Sequence, residues 1–139
     1  MTYHYHLGVG TTTTHAHLLP LAMNQLMSLF SVIHQTRRFT GPCDLGQSSC
    51  DFVNIGVTIQ SELPWADLKK EIKIMERAVE FFPWLDVDIM TQHCNNDVLG
   101  HPLLINPKIL THTHCVRLLA ELMPTIRING RSMDDLRHA

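Results

Sequence analysis

Little in this sequence is charged, and neither sign dominates. Asp, Glu, Lys and Arg make up 17% of the 139 residues, the formal net charge is −2, and the eleven Lys and Arg are scattered rather than striped. That balance argues against a nucleic-acid surface, so a phosphate-rich ligand has to be met by a few local cations and a metal. Long apolar runs are missing too: stretches such as Leu18 to Leu21 are far too short to span a bilayer. No basic segment leads into an apolar one near Met1, so no signal peptide is read, and a cytoplasmic protein without a membrane partner is expected. Cys43, Cys50, Cys94 and Cys115 form no Cys-x-x-Cys pair, which favours reduced thiols over a disulfide or zinc framework. No internal repeat is present, and no low-complexity tract beyond Thr11 to Thr14. What is present is apolar: 45% of the residues, enough at this length for one domain with a core.

Hydrophobic spacing places the elements. Tyr3 to Val9 alternates as a first strand, ending at Gly10. Leu18, Leu19, Ala22, Met23, Leu26, Met27 and Phe30 recur at three and four, which is one helix face. Ser31 to Thr36 reads as a second strand and Arg37 to Ser49 as a loop rich in Gly, Pro and Ser. In Asp51 to Gln60, Val53, Ile55, Val57 and Ile59 share an apolar face; Phe52, Asn54, Gly56 and Thr58 share the other. A helix opens near Pro64 and carries Leu68, Ile72, Met75 and Val79 inward. Leu85 to Met90 is a short buried strand, and a last helix spans about 112–122, before Pro124. The order β-α-β-β-α-β with a helical C-terminal extension predicts an α+β fold of ferredoxin-like type: an antiparallel sheet with helices on one face. Two such sheets can pair edge to edge, so the sequence leaves monomer and dimer open.

Asp86 and Asp88 are the sharpest chemical feature. Residues two apart on a strand project from one face, with Cβ atoms roughly 6.5–7 Å apart. Carboxylates that close repel unless a cation attends them, and magnesium prefers one or two carboxylates with water and substrate phosphates. The alternative is a solvated pair at a strand end. The ten histidines include three His-x-His pairs, His4/His6, His15/His17 and His112/His114. None comes with a third ligand at fixed spacing, so they read as surface or partly buried polar residues. Asn54 sits mid-strand, where Asn is depleted, and its amide suits the edge of a heterocycle; it suits plain solvent as well.

Asp51-Phe52-Val53-Asn54, the helix ending near Glu76, and Leu85-Asp86-Val87-Asp88-Ile89-Met90 together resemble the 6-hydroxymethyl-7,8-dihydropterin pyrophosphokinases of folate biosynthesis. That family carries D-[YF]-x-N-x-x-V on its third strand and L-D-[LV]-D-I-[ML] on its fourth. The likeness covers most of the chain: Val9-Gly10-Thr11-Thr12 resembles L-G-S-N, Ser31 to Pro42 the S-x-x-Y-x-T-x-P segment, and Ile105-Asn106-Pro107 the V-P-H. It implies a single domain over residues 1–128 and a C-terminal tail over 129–139. It also implies an ATP-dependent diphosphokinase, with two magnesium ions held by Asp86 and Asp88. Asn54, with backbone near Thr36 and Phe39, would read the pterin, beside Phe52. Glu76 matches a family glutamate on the adenine and ribose side, and Arg77 follows it.

The sequence also departs from the family. A long lid with R-x-R and W-G-P-R-T-L-D runs is replaced by Arg77 to Trp84, so Trp84 supplies an aromatic wall from a different place. The family histidine of V-P-H becomes Lys108, a phosphate contact, and a downstream family arginine becomes His114. Loss of a single such electrostatic contact commonly costs on the order of 10²-fold in rate. The expectation is a slow enzyme or, as the alternative, a pterin- or nucleotide-binding relative with a regulatory or carrier role.

Overall fold

The computed structural model describes residues 1–42, 51–97, 99–137. In chain order its elements are β1 (Tyr3–Thr12), a 3₁₀ turn (Thr13–His15), α1 (Leu18–Leu29), β2 (Ser31–Gln35), β3 (Phe39–Pro42), β4 (Asp51–Ser61), α2 (Trp65–Glu76), β5 (Asp86–Cys94), β6 (Leu104–Ile105), a second 3₁₀ turn (Pro107–Leu110), α3 (Thr113–Leu122), β7 (Arg127–Ile128), β8 (Arg131–Ser132) and α4 (Met133–Arg137). Among the described residues no helix is long and apolar enough to cross a membrane.

Alternation in β1 and β4 builds the sheet's inner surface. Tyr5, Leu7 and Val9 from β1 join Val53, Ile55, Val57 and Ile59 from β4 and Val87 and Ile89 from β5. Against them pack Leu19, Ala22 and Leu26 of α1 and Leu68, Ile72 and Met75 of α2, each recurring on one helix face. The α2 helix ends at Glu76, one turn earlier than its apolar spacing predicts, and Val79 beyond it is 93% exposed instead of buried.

The α+β class stands, with a mainly antiparallel sheet of six strands. Its order is β2-β4-β1-β5-β6, with β3 also pairing β4. This corrects the plain ferredoxin-like expectation on three counts. Part of the expected loop after Arg37 is strand β3, because Phe39 to Pro42 pair with Asn54 to Asp51; the remainder of that loop, from 43 on, lies outside the described residues. A two-residue strand, β6, adds to the far edge at Thr91 and Gln92.

The third difference matters most for function: helices cover both faces. Cys115, Val116, Leu118 and Leu119 of α3 form a second core with Met90, Ile109, Ile126, Ile128 and Met133. Gly8 and Gly56, paired across β1 and β4, let α3 approach the sheet. A Cβ built on Gly56 would stand 3.0 Å from Leu122 Cδ1 and 3.2 Å from Leu118 Cβ. Thr58, expected on an open face, is therefore buried. The segment expected as a polar tail carries the β7–β8 hairpin and α4, with Met133 buried, so the 128/129 boundary falls within that hairpin.

Candidate functional site

Strand register decides which side chains meet. Asp86 pairs with Gly10, Gly10 with Asn54, and Asn54 with Phe39. One step along, Asp88 pairs with Gly8 and Gly8 with Gly56, whose N–H donates to Thr36 Oγ1 at 2.9 Å. Directly paired residues share a face, so the two acids, Asn54 and Phe39 project from the same side of the sheet, the side α3 covers in part. With strands about 4.8 Å apart, Asp86 and Asn54 stand roughly 10 Å from each other across Gly10.

Asn54 is only 7% exposed, yet among the described residues no hydrogen bond engages its side-chain amide. No side-chain nitrogen or oxygen among the described residues is both enclosed and unpartnered, so the amide's polar atoms reach solvent on this face, where water or a ligand can meet them. Its Oδ1 occupies the space above Gly10, and any side chain at that position would overlap it. Thr36 is engaged more fully: its hydroxyl accepts from Gly56 N–H and donates to Arg37 O at 2.6 Å, and its own N–H donates to Gly56 O at 2.8 Å. Phe39 is half-buried with the Arg37 and Arg117 guanidinium groups 4.8 and 5.6 Å from its ring centre, and Phe52 is half-buried beside Gly10.

The acidic pair lies at the mouth of β5. Loss of hydration and the neighbouring Asp88 carboxylate, with a smaller push from Glu76, raise the Asp86 carboxyl to about 6, although part of its surface is exposed. Lys108 relieves this only slightly; its Nζ is 3.7 Å from Asp88 Oδ1 and mostly exposed. Negative charge there is under-compensated, which suits a divalent cation. Among the described residues no three His, Cys, Asp or Glu side chains are placed to hold a metal. A pair is nonetheless the donor set magnesium uses when phosphates and water complete its shell.

Two side chains hold that strand from outside. Glu76 Oε1 accepts from Val87 N–H at 2.8 Å, between the two aspartates, and burial raises the Glu76 carboxyl. One of its oxygens is thus committed to positioning β5, in addition to any contact on a nucleotide side. Asn106 donates to Ile89 O at 3.1 Å and accepts from Lys108 N–H at 3.0 Å, so it fixes the Lys108 turn against β5. Asn106 has a place in the Ile105-Asn106-Pro107 run but no role from the sequence alone; its position ahead of Pro107 at a turn start was the available signal.

Trp84 is 48% exposed and stacks on His15, ring centres 3.9 Å apart, while its carbonyl accepts from Thr11 Oγ1. It forms a wall two residues before Asp86. Residues 77–85 form turns with Phe81 and Leu85 buried, so the short connection is packed into the core. Arg77 caps α2 with its side chain exposed. His114 lies in the first turn of α3, edge-on to His112 at 5.6 Å. Glu76 and Lys108 meet at the acidic pair, and Thr36, Phe39, Phe52 and Asn54 gather on its face. No protein-family model matches the chain, and no curated protein matches it either.

Proposed function

We propose that this chain transfers a pyrophosphoryl group from ATP to the hydroxymethyl oxygen of a 6-hydroxymethyl-7,8-dihydropterin, releasing AMP. The observation that carries the reading is the Asn54 amide, without a protein partner and open to solvent, on the same face as Asp86 and Asp88. A heterocycle reader and a phosphate-side acidic pair about 10 Å apart are what a two-substrate transfer needs. The strands β2-β4-β1-β5, taken without β3 and β6, support the ferredoxin-like core that the resemblance implies.

Asp86 and Asp88 would hold magnesium, which when bound neutralises phosphate charge. The chain's own part is positioning. Asn54 donates to and accepts from the heterocycle edge, with the Thr36 carbonyl and the Phe39 backbone alongside; Phe52 and the Trp84–His15 stack exclude water at either side. Lys108 places a cation on the phosphates, and Glu76 and Asn106 keep β5 at the right height. Transfer chemistry of this kind rests on orientation and electrostatics rather than on a covalent intermediate.

Incubation with magnesium, ATP and the hydroxymethyl dihydropterin tests the reading. AMP formation at low turnover is expected, since the 77–85 connection is packed into the core rather than laid over the site. Pterin binding without AMP favours the second reading, a pterin-binding carrier or regulator in the cytoplasm, for which the packed 77–85 connection speaks.

A further inference from the structure

Strand β3 and helix α3 border a cavity of about 630 Å³, a volume within the range of small-molecule pockets. Its walls carry Phe39 of β3 and Arg37 just before it, Thr113, Arg117 and Glu121 of α3, and Leu136 of α4. Residues 113, 117 and 121 recur at i, i+4 and i+8, so one stripe of α3 lines the cavity while Cys115, Leu118 and Leu119 pack into the second core. Phe39 borders the candidate site as well, because its backbone pairs with Asn54, but neither Asn54 nor the two aspartates belong to these walls.

Two guanidinium groups share the Phe39 ring. Arg37 Cζ lies 4.8 Å from the ring centre and Arg117 Cζ 5.6 Å, so one half-buried aromatic holds both charges close together. Stacking on a ring orients each planar fork without neutralising it. Among the described residues no carboxylate lies within ion-pair distance of either arginine. Three acids stand on the adjoining elements. Glu121 is one turn beyond Arg117, Asp51 pairs with Pro42 at the far end of β3, and Asp135 of α4 accepts from Ser132 N–H. The walls therefore set two guanidinium charges against the single carboxylate of Glu121. Like charges gathered around a concave site repel one another until an anion enters.

We propose that this cavity binds a small organic carboxylate with an aromatic body, the carboxylate between Arg37 and Arg117 and the body against Phe39 and Leu136. One carboxylate accepts from two guanidinium forks at about 2.8 Å, which relieves their repulsion. The aromatic body gains from the Phe39 ring, a contact that a bare inorganic anion does not make. Glu121 on the same wall disfavours a second negative charge, so the cavity selects a monoanion. The inference uses neither Asp86 nor Asp88 and does not rest on the transfer reading.

The probe is 2-naphthoate, with 2-naphthamide as its uncharged counterpart and inorganic phosphate as the bare anion, each titrated into the full chain and followed by NMR chemical shifts. Saturable naphthoate binding is expected, about tenfold or more tighter than either control. Arg37→Gln and Arg117→Gln should each weaken it by about tenfold or more, while Arg38→Gln, next in sequence but outside the walls, should change it less than about twofold. Circular dichroism confirms that the variants at these exposed arginines fold. The two control ligands use the unmodified chain, so they decide the matter even where a variant does not fold. Amide binding equal to naphthoate leaves only an apolar groove, and phosphate binding as tightly leaves only an anion patch; either result overturns the proposal. Absence of saturable naphthoate binding, or binding indifferent to both arginines, overturns it equally.

Discussion

Acid should unfold this protein through one buried histidine. His6 is 4% exposed between β4 and α3's trailing segment, sharing hydrogen bonds with Thr58 Oγ1 at 2.8 Å and Met123 Sδ at 3.5 Å. Burial first, then the neighbouring His93, His4 and His34, hold its pKa down to about 3, with only Asp97 opposing. In the unfolded chain the same ring titrates near 6.5. Between those values the unfolded state binds a proton that the folded state refuses, so stability falls as pH drops below 6.5. The loss is about 1.4 kcal/mol per pH unit, or about 2 kcal/mol by pH 5. For a domain of this size that is a Tm decrease of roughly 6–10 °C. His93, lowered by its own burial, acts in the same direction, whereas Asp86, raised, is relieved by acid between its unfolded and folded values. Wild-type data alone would mix these effects, so the measurement is the difference between wild type and His6→Asn, whose amide can still reach Thr58. Thermal unfolding at pH 7.5 and 5.0 should show the variant losing about 2 kcal/mol less than wild type. Equal losses in the two proteins would refute the assignment of acid sensitivity to His6.

Other perturbations address the candidate site. Gly10→Ala pushes a methyl into Asn54 Oδ1, so pterin affinity measured by fluorescence titration should drop by about tenfold or more while magnesium-ATP binding holds. Asp86→Asn removes a charge that lost hydration and then the Asp88 carboxylate disfavour; without magnesium at pH 7.5 it should raise stability slightly, by less than about 1 kcal/mol after solvent screening, and it should abolish AMP formation. Asn106→Ala forfeits its bonds to Ile89 O and Lys108 N–H, and a loss of about 1–2 kcal/mol by urea denaturation is expected, with a higher KM for ATP.

The sequence was most legible where periodicity and burial coincide. The spacing of Leu19, Ala22, Met23 and Leu26 located α1, and the strict alternation from Val53 to Ile59 located β4 and its inner face. The D-x-D signal needed only the strand period. Long-range facts were hidden. That α3 lies across the second face depends on Gly8 meeting Gly56, two residues 48 positions apart whose pairing exists only once the register is set. For the same reason Asn54 read as a solvent-facing residue when it is buried. The early end of α2 at Glu76 followed from tertiary demands, since Phe81 and Leu85 must turn inward to start β5, and helical spacing at Val79 carried no trace of that.

The central claim is that Asp86 and Asp88 jointly receive magnesium beside a nucleotide's phosphates. A crystal structure of the chain with magnesium and a non-hydrolysable ATP analogue tests it most directly. The account expects a metal with oxygens of both aspartates at about 2.1 Å and phosphate oxygens completing its shell. A nucleotide bound elsewhere, or two aspartates in plain solvent at saturating magnesium and analogue, would contradict it.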